Sequence, residues 1–179
     1  MDTLFNITDF ENPNIVVTSD EVYKSLLKGC YVYANKWYHP STYVWALLVD
    51  DWKVVLRWKN VLPYRLKKRD KYFDWPNKHI YINHAERDLI YKAANRWIKT
   101  EGLVMVMHWF PCIECACSVI SYWIKEIIVH KQMIERTNRD WSDNLKSSME
   151  ILEEAWIKVI VYDWKIWIEG YMHWERWEA

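Results

Sequence analysis

Two short segments of this chain carry side chains whose types and spacing can do chemistry: His84-Ala85-Glu86, and Pro111-Cys112-Ile113-Glu114-Cys115, with Cys112 28 positions after His84. On a helix starting at Pro111, Cys112 and Cys115 stand three positions apart and share a face, so their sulfurs can reach one ion. Thiolate and imidazole together suit Zn²⁺. His84, Cys112 and Cys115 supply three protein ligands and leave the fourth tetrahedral position to water. Three ligands and an open position mark a catalytic site, so one catalytic zinc per chain is expected. The first turn of a helix also presents the positive end of the macrodipole, which lowers a thiol pKa and favours the bound thiolate. Glu86 begins the same helix as His84. It is near enough to hydrogen-bond a metal-bound water while pointing away from the imidazole, which is where a proton shuttle belongs.

Each feature alone has a plainer reading. Cys-x-x-Cys can be a redox pair or two buried small residues, and His84 can be an ordinary helix-start histidine. A structural zinc would need a fourth protein ligand. Cys117 faces another side of the helix from Cys115, and His108, at the end of a buried run, is better placed as a rival ligand but is expected to be a pocket-wall or core residue. Four cysteines, three of them at 112, 115 and 117, form a site and not a disulfide framework, which points to a reducing, cytoplasmic compartment.

The elements that must position these groups follow from periodicity. Ser19 to Asn35 is predicted to be an amphipathic helix, with Val22, Tyr23, Leu26, Leu27 and Cys30 on one face. Tyr43 to Asp50 and Lys53 to Asn60 read as an antiparallel hairpin, and Pro63 with the charged run Arg65 to Lys71 as a loop. His84 to Arg96 is a helix, Leu103 to Met107 a buried central strand, Pro111 to Tyr122 a helix with Pro111 in its first turn, Ile124 to Val129 a strand, Trp141 to Ala155 a helix, and Ile157 to Tyr162 a strand. Alternation of strands and helices late in the chain implies parallel pairing with right-handed crossovers. The 179 residues and 22.0 kDa fit one domain over 1–179, with its core at about 20–163. No repeat or linker divides it.

Lys plus Arg and Asp plus Glu each total 24, so the formal net charge is zero. That removes the overall basic field on which non-specific nucleic-acid binders rely and favours a small-molecule partner. No stretch approaches the roughly 18 apolar residues of a membrane span, and the first 30 residues lack the basic-then-apolar pattern of a secretory signal.

The composition has one abnormality, 3 glycines against 14 tryptophans, where average usage predicts about 12 glycines. The tryptophans stand where glycine is physically favoured. Asp51-Trp52 joins the two hairpin strands, where Asp-Gly is the strong turn signal. Trp97, Trp123 and Trp156 each follow an amphipathic helix and precede a new β-like run, the place of the left-handed residue that ends a helix. Many of these tryptophans are therefore expected to stand where the biological chain carries glycine, as happens when UGA is read as Trp although the organism's code assigns it to Gly.

His-x-Glu at one strand-to-helix junction and Pro-Cys-x-x-Cys at the next form the signature of zinc-dependent nucleobase deaminases. From about Val22 to Tyr162 the chain resembles the cytidine and deoxycytidylate deaminase superfamily, most closely its deoxycytidylate (dCMP) deaminase branch. His39-Pro40-Ser41-Thr42-Tyr43-Val44-Trp45-Ala46 is similar to that branch's D-P-S-T-x-V-G-A, and Arg57-Trp58-Lys59-Asn60-Val61-Leu62-Pro63 contains a segment similar to its G-x-N-x-x-P, with Trp45 and Trp58 at the family's glycines. The resemblance implies an α/β fold, a three-layer α/β/α arrangement around a mixed five-stranded sheet. It also implies zinc-dependent hydrolysis of dCMP to dUMP and ammonia, with Glu86 moving the protons. Asn60 would hydrogen-bond the substrate sugar, the Ala85 backbone would touch the pyrimidine, and Phe110 would line the base pocket. A valine follows Asn60 where the branch often has glycine, a pair associated with nucleotide triphosphate regulation, so this chain departs from the regulated pattern. The implied assembly is a homo-oligomer. The alternative activities are tRNA adenosine deamination, against which zero net charge argues, and free cytidine or deoxycytidine deamination.

A nucleotide substrate brings a phosphate. Arg65, Lys67, Lys68 and Arg69 lie in the loop whose ends are Asn60 and His84, so they must pass near the pocket mouth and are the expected phosphate contacts, with Ser41 and Thr42 as the alternative.

Overall fold

The computed structural model describes residue 7 and residues 12–36, 42, 44–74, 76–137, 139–173 and 175–179, without the side chains of 139 and 140. The elements are β1 (Ile15–Thr18), α1 (Glu21–Ala34), β2 (Trp45–Asp50), β3 (Lys53–Lys59), α2 (Lys78–Tyr81), α3 (Ala85–Asn95), β4 (Val104–Met107), α4 (Ile113–Ser121), β5 (Glu126–His130), α5 (Lys131–Ile134), α6 (Arg139–Glu154), β6 (Lys158–Tyr162), β7 (Glu169–Met172) and β8 (Glu175–Glu178), with a short 3-10 turn at Asp70–Tyr72.

Six strands form one mixed sheet in the order β1-β6-β5-β4-β2-β3. β1, β6, β5 and β4 run parallel, and β2 is antiparallel to both β4 and β3. The expectation of five strands is thus corrected to six. Ile15-Val16-Val17-Thr18 adds alongside β6, and its β-branched residues suit a strand, but four residues with a half-exposed middle show no period to read. A second correction concerns the end of the core. Ile166, Met172 and Ala179 are buried and β7 pairs with β8, so packing continues beyond 163, just as it begins before 20.

Strand alternation divides the apolar side chains into two layers. Ala46, Leu48, Met105, Met107, Ile127, Val129, Val159 and Val161 face α3, α4 and α6. Leu47, Val49, Val106, Ile128, Ile160 and Tyr162 face α1 and the C-terminal segment. Period-two alternation in a sheet buried on both sides sends odd and even neighbours into different cores, giving helix, sheet and helix in three layers.

The predicted α1 is present, started by Asp20, whose Oδ1 accepts the Val22 N–H at 3.1 Å. Pro111 does not enter the first turn of α4 as expected. It precedes the N-cap, which is Cys112, and the helix begins at Ile113.

Three helices end in one and the same motif. After α3 the Trp97 N–H donates to Ala94 and the Ile98 N–H to Ala93. After α4 Trp123 donates to Ile120 and Ile124 to Val119. After α6 Trp156 donates to Glu153 and Ile157 to Leu152. These are the paired 6→1 and 5→2 bonds of a Schellman ending, and Trp97, Trp123 and Trp156 take the left-handed conformation it needs, with φ of 57°, 56° and 57°. In the β2–β3 turn Asp51 and Trp52 have φ of 43° and 63°, both positive as a type I′ turn requires.

Candidate metal centre

α3 and α4 pack side by side on one face of the sheet, and each starts at the end of an incoming backbone segment carrying a ligand. His84 is the N-cap of α3 and Cys112 that of α4, while Cys115 lies at the third helical position of α4, one turn along the same face. The His84 Nδ1 is 3.4 Å from Cys112 Sγ and 3.6 Å from Cys115 Sγ, and the three ligand atoms lie within 4.8 Å of one another. A tetrahedral zinc with Zn–S of about 2.3 Å and Zn–N of about 2.0 Å sets its nitrogen and sulfur ligands about 3.5 Å apart. The residues fit the ion. Among the described residues this is the only group of three or more His, Cys, Asp or Glu side chains gathered in this way.

The electrostatics agree with a thiolate site. The hydrogen bond with Cys115 pulls the Cys112 thiol down to about 4, with His84 adding to the effect, while burial pushes Cys115 up. Burial opposes charge on His84, but the hydrogen bond to Cys112 and its negative charge outweigh it and raise the imidazole above its usual value.

Glu86 lies one residue into α3 from Ala85 and is 5% exposed. Its Oε2 is buried with no hydrogen-bond partner, and burial raises its carboxyl above the usual carboxylate range. A buried carboxylate oxygen left unpaired is costly unless something is to be bound there. Beside a three-ligand metal position it can accept a proton from water and pass it on.

The structure distributes the other predicted residues unevenly. The Asn60 Oδ1 accepts the Ala85 N–H at 2.8 Å, so that backbone donor is engaged and the carboxamide NH₂ is the part of Asn60 left for a ligand. Phe110 is buried in the core under α3 and α4. Thr42 is buried, and its Oγ1 accepts the His173 N–H at 3.5 Å. Ser41 lies outside the described residues, as do His39, Pro40 and Tyr43 of the same segment. Arg65, Lys67, Lys68 and Arg69 are exposed. Arg65 lies over Tyr64 and Lys68 over Phe73, contacts internal to the loop. A β-bridge between Val61 and Asn83 closes that loop at its base, next to Asn60 and His84.

His108 is not a ligand. It is buried against Tyr31, with ring centroids 4.6 Å apart, on the α1 side of the sheet, and Cys117 is exposed. Trp45 stacks on Tyr33 and Trp58 lies under Lys92, and both indole N–H groups are buried without a partner.

Sequence reasoning missed an aromatic group beside the ligands. Trp141 of α6 stands 6.3 Å from the His84 ring, 5.1 Å from His79 and 6.4 Å from Trp109, and Trp109 is 6.2 Å from His173. Burial holds His79 down to about 4, so its ring is neutral. These positions run from 79 to 173, a separation no local pattern can link. It also missed Asn144 and Ser148, which bond to the backbone on either side of Cys112: the Asn144 Oδ1 accepts the Ile113 N–H at 2.9 Å, and the Ser148 Oγ donates to the Pro111 carbonyl at 2.8 Å.

Residues 20–131 match the family described as the cytidine and deoxycytidylate deaminase zinc-binding region. No curated protein sequence matches the chain. Among solved structures, the chain is similar to the dCMP deaminase of cyanophage S-TIM5 in its apo form, with a TM-score of 0.60 at 15% identity over 80% of this chain and 99% of that one. The same enzyme in complex with dCMP and dUMP gives 0.59 at 14% identity over 82% and 99%. The deaminase and reductase of Thermotoga maritima that acts on diaminohydroxyphosphoribosylaminopyrimidine gives 0.55 at 21% identity, over 79% of this chain and 36% of that one.

Proposed function

From the premise that the chain belongs to the cytidine and deoxycytidylate deaminase zinc-binding family, we propose that it hydrolyses dCMP to dUMP and ammonia. The observation that carries the reading is the unpaired Glu86 Oε2 beside the His84, Cys112 and Cys115 ligand set. Zinc, when bound there, supplies the Lewis acidity that brings the pKa of a water near neutrality.

The residues do the rest. Glu86 takes a proton from the attacking water and delivers it to N3 of the cytosine as oxygen adds at C4. It then carries the proton of the new C4 hydroxyl to the amine as the C4–N bond breaks and the C4 carbonyl forms, so water is consumed and ammonia and a uracil are released. Asn60, already holding the start of α3, offers its NH₂ to the sugar. The Trp141 and Trp109 rings and the neutral His79 flank His84 and supply an apolar wall for a planar base. The closed loop carrying Arg65, Lys67, Lys68 and Arg69 supplies cations for the phosphate. The cyanophage enzyme of the same fold was crystallised with dCMP and dUMP, which makes dCMP the first substrate to test.

No described helix is long and apolar enough to cross a membrane. Four unpaired cysteines and a nucleotide substrate favour a cytoplasmic setting, and the assembly we propose is a homo-oligomer. Ammonia release from dCMP, dCTP, deoxycytidine, cytidine and adenosine-containing tRNA tests the reading. Preference for dCMP supports it, while equal turnover of deoxycytidine, or turnover of tRNA alone, overturns it.

A further inference from the structure

Both ligand-bearing helices begin without a cap of their own. An N-cap side chain ordinarily accepts a backbone N–H of the first turn. His84 and Cys112 carry no side-chain oxygen to cap with, and their side chains face the ligand cluster, where the Cys112 sulfur meets His84 Nδ1 and has only a weak interaction with the Cys115 N–H. In each case the first helical N–H is taken by a carboxamide from another element, Asn60 for Ala85 on α3 and Asn144 for Ile113 on α4. One turn along α6, Ser148 holds the Pro111 carbonyl, so the peptide groups before and after Cys112 are both fixed by α6.

We propose that Asn144 is a positioning residue of the zinc centre, capping α4 from outside so that the Cys112 thiol is free to bind metal, with Ser148 as its partner. The inference rests on the zinc-centre reading. Groups that orient metal ligands set affinity strongly, and their loss typically costs about 10- to 100-fold. A plain helix cap would stabilise the fold equally with and without metal.

Zinc-loaded wild type, Asn144→Ala and Asn144→Asp are mixed with an excess of chromophoric chelator and metal transfer is followed. The melting temperature is read before and after metal removal. Asn144→Ala should bind zinc about 10- to 100-fold more weakly and lose part of the zinc-dependent rise in Tm. Asn144→Asp, which keeps the acceptor oxygen, should recover both. An equal fall in Tm with and without metal, at unchanged zinc transfer, makes Asn144 a helix cap only and overturns the proposal. Wild type that holds no zinc overturns the metal-centre reading instead. If Asn144→Ala does not fold, Ser148→Ala decides: faster zinc transfer supports the clamp, unchanged transfer overturns it.

A different observation carries a second inference. Trp97, Trp123 and Trp156 hold the left-handed position of three complete Schellman endings, and Trp52 holds the second position of a type I′ turn. A Cβ is penalised at each of these positions, and glycine carries no such penalty. The indoles return little in packing, Trp97 being 95% exposed and the other three also exposed, with Trp52 meeting the Tyr23 ring at 5.7 Å. Trp45 and Trp58 meanwhile bury unsatisfied indole N–H groups. We infer that these six positions are built for glycine and that the chain made in its own cells carries glycine there, a UGA codon being read as Gly. Peptide masses of the protein from its source cells decide it. Glycine at 52, 97, 123 and 156 supports the inference and tryptophan there overturns it. Recombinant protein with Trp97→Gly, Trp123→Gly and Trp156→Gly should melt several degrees higher than the tryptophan form, and a fall in Tm also overturns it.

Discussion

The Asn60 Oδ1 lies 2.8 Å from the backbone nitrogen of Ala85 and caps the helix whose first residues are the metal ligand and the proton shuttle. One side chain, next in sequence after hairpin strand β3, thus joins the hairpin to the start of α3, and on the proposed reading its two ends have separable tasks. Asn60→Asp keeps the acceptor and loses the NH₂, so it should raise KM for dCMP while zinc content and Tm stay close to wild type. Asn60→Ala loses both and should also lose about 1 kcal/mol of stability. Steady-state kinetics with thermal melts will separate the two. Equal KM in both variants and wild type would remove Asn60 from sugar binding.

Metal content should follow the ligand triangle. Purified protein should carry about one zinc per chain, and Cys115→Ser should lose both zinc and activity. Elemental analysis is the check, and full occupancy in the serine variant would show that the ion sits elsewhere.

Glu86 is outside the ligand set, so Glu86→Gln should retain zinc and fold. Its kcat should fall by about 10² to 10⁴, the range of a general acid–base group. Undiminished turnover would mean that another group moves the protons.

Stability should depend on pH through His130 as well as the ligands. Its Nδ1 accepts from the Tyr31 hydroxyl at 2.8 Å, its Nε2–H donates to the Trp164 carbonyl at 3.0 Å, and burial holds its pKa down to about 4. The unfolded chain, with a histidine near 6.5, binds the proton first as pH falls. The contribution is therefore complete above pH 6.5 and is lost progressively towards pH 4, by up to about 3 kcal/mol. His130→Gln should flatten this slope in denaturant titrations across that window. An unchanged slope would assign it to other groups.

The basic loop is tested as a unit. With Arg65, Lys67, Lys68 and Arg69 all changed to Ala, KM for dCMP should rise while weak deoxycytidine turnover is unchanged. Equal loss on both substrates would indicate structural damage, and no loss on either would place the phosphate elsewhere, with Thr42 the next candidate.

The zinc centre was legible because its code is local. His-x-Glu and Cys-x-x-Cys each lie within one turn of a helix start, where spacing alone dictates which atoms can meet. The central strands were legible for a similar reason, since alternating or continuous apolar runs declare a sheet. Asn144, Ser148 and Trp141 were not, because an Asn or Ser on a helix face looks solvated until tertiary packing brings it against Cys112 or His84. β1 escaped as a strand of only four residues with no alternation, and β7 and β8 as a Trp-rich tail with no clear period. Conversely, Trp52, Trp97, Trp123 and Trp156, glycine-like by their turn positions in the sequence, take φ between 56° and 63° where those turns were expected, because backbone sterics act residue by residue, while Trp45 and Trp58 lie within β2 and β3.

The bridge between Val61 and Asn83 separates two kinds of change. The exposed run 64–71 between them hangs from that closed base, whereas α2 is held against α6 through His79 and Trp141, and lengthening a flexible loop twofold adds only about 0.6 kcal/mol of closure cost. Insertions, deletions and charge reversals there would leave Asn60 and His84 where they stand. A lineage built on this plan could therefore exchange one substrate for another by rewriting its loop while inheriting the same proton-transfer chemistry intact.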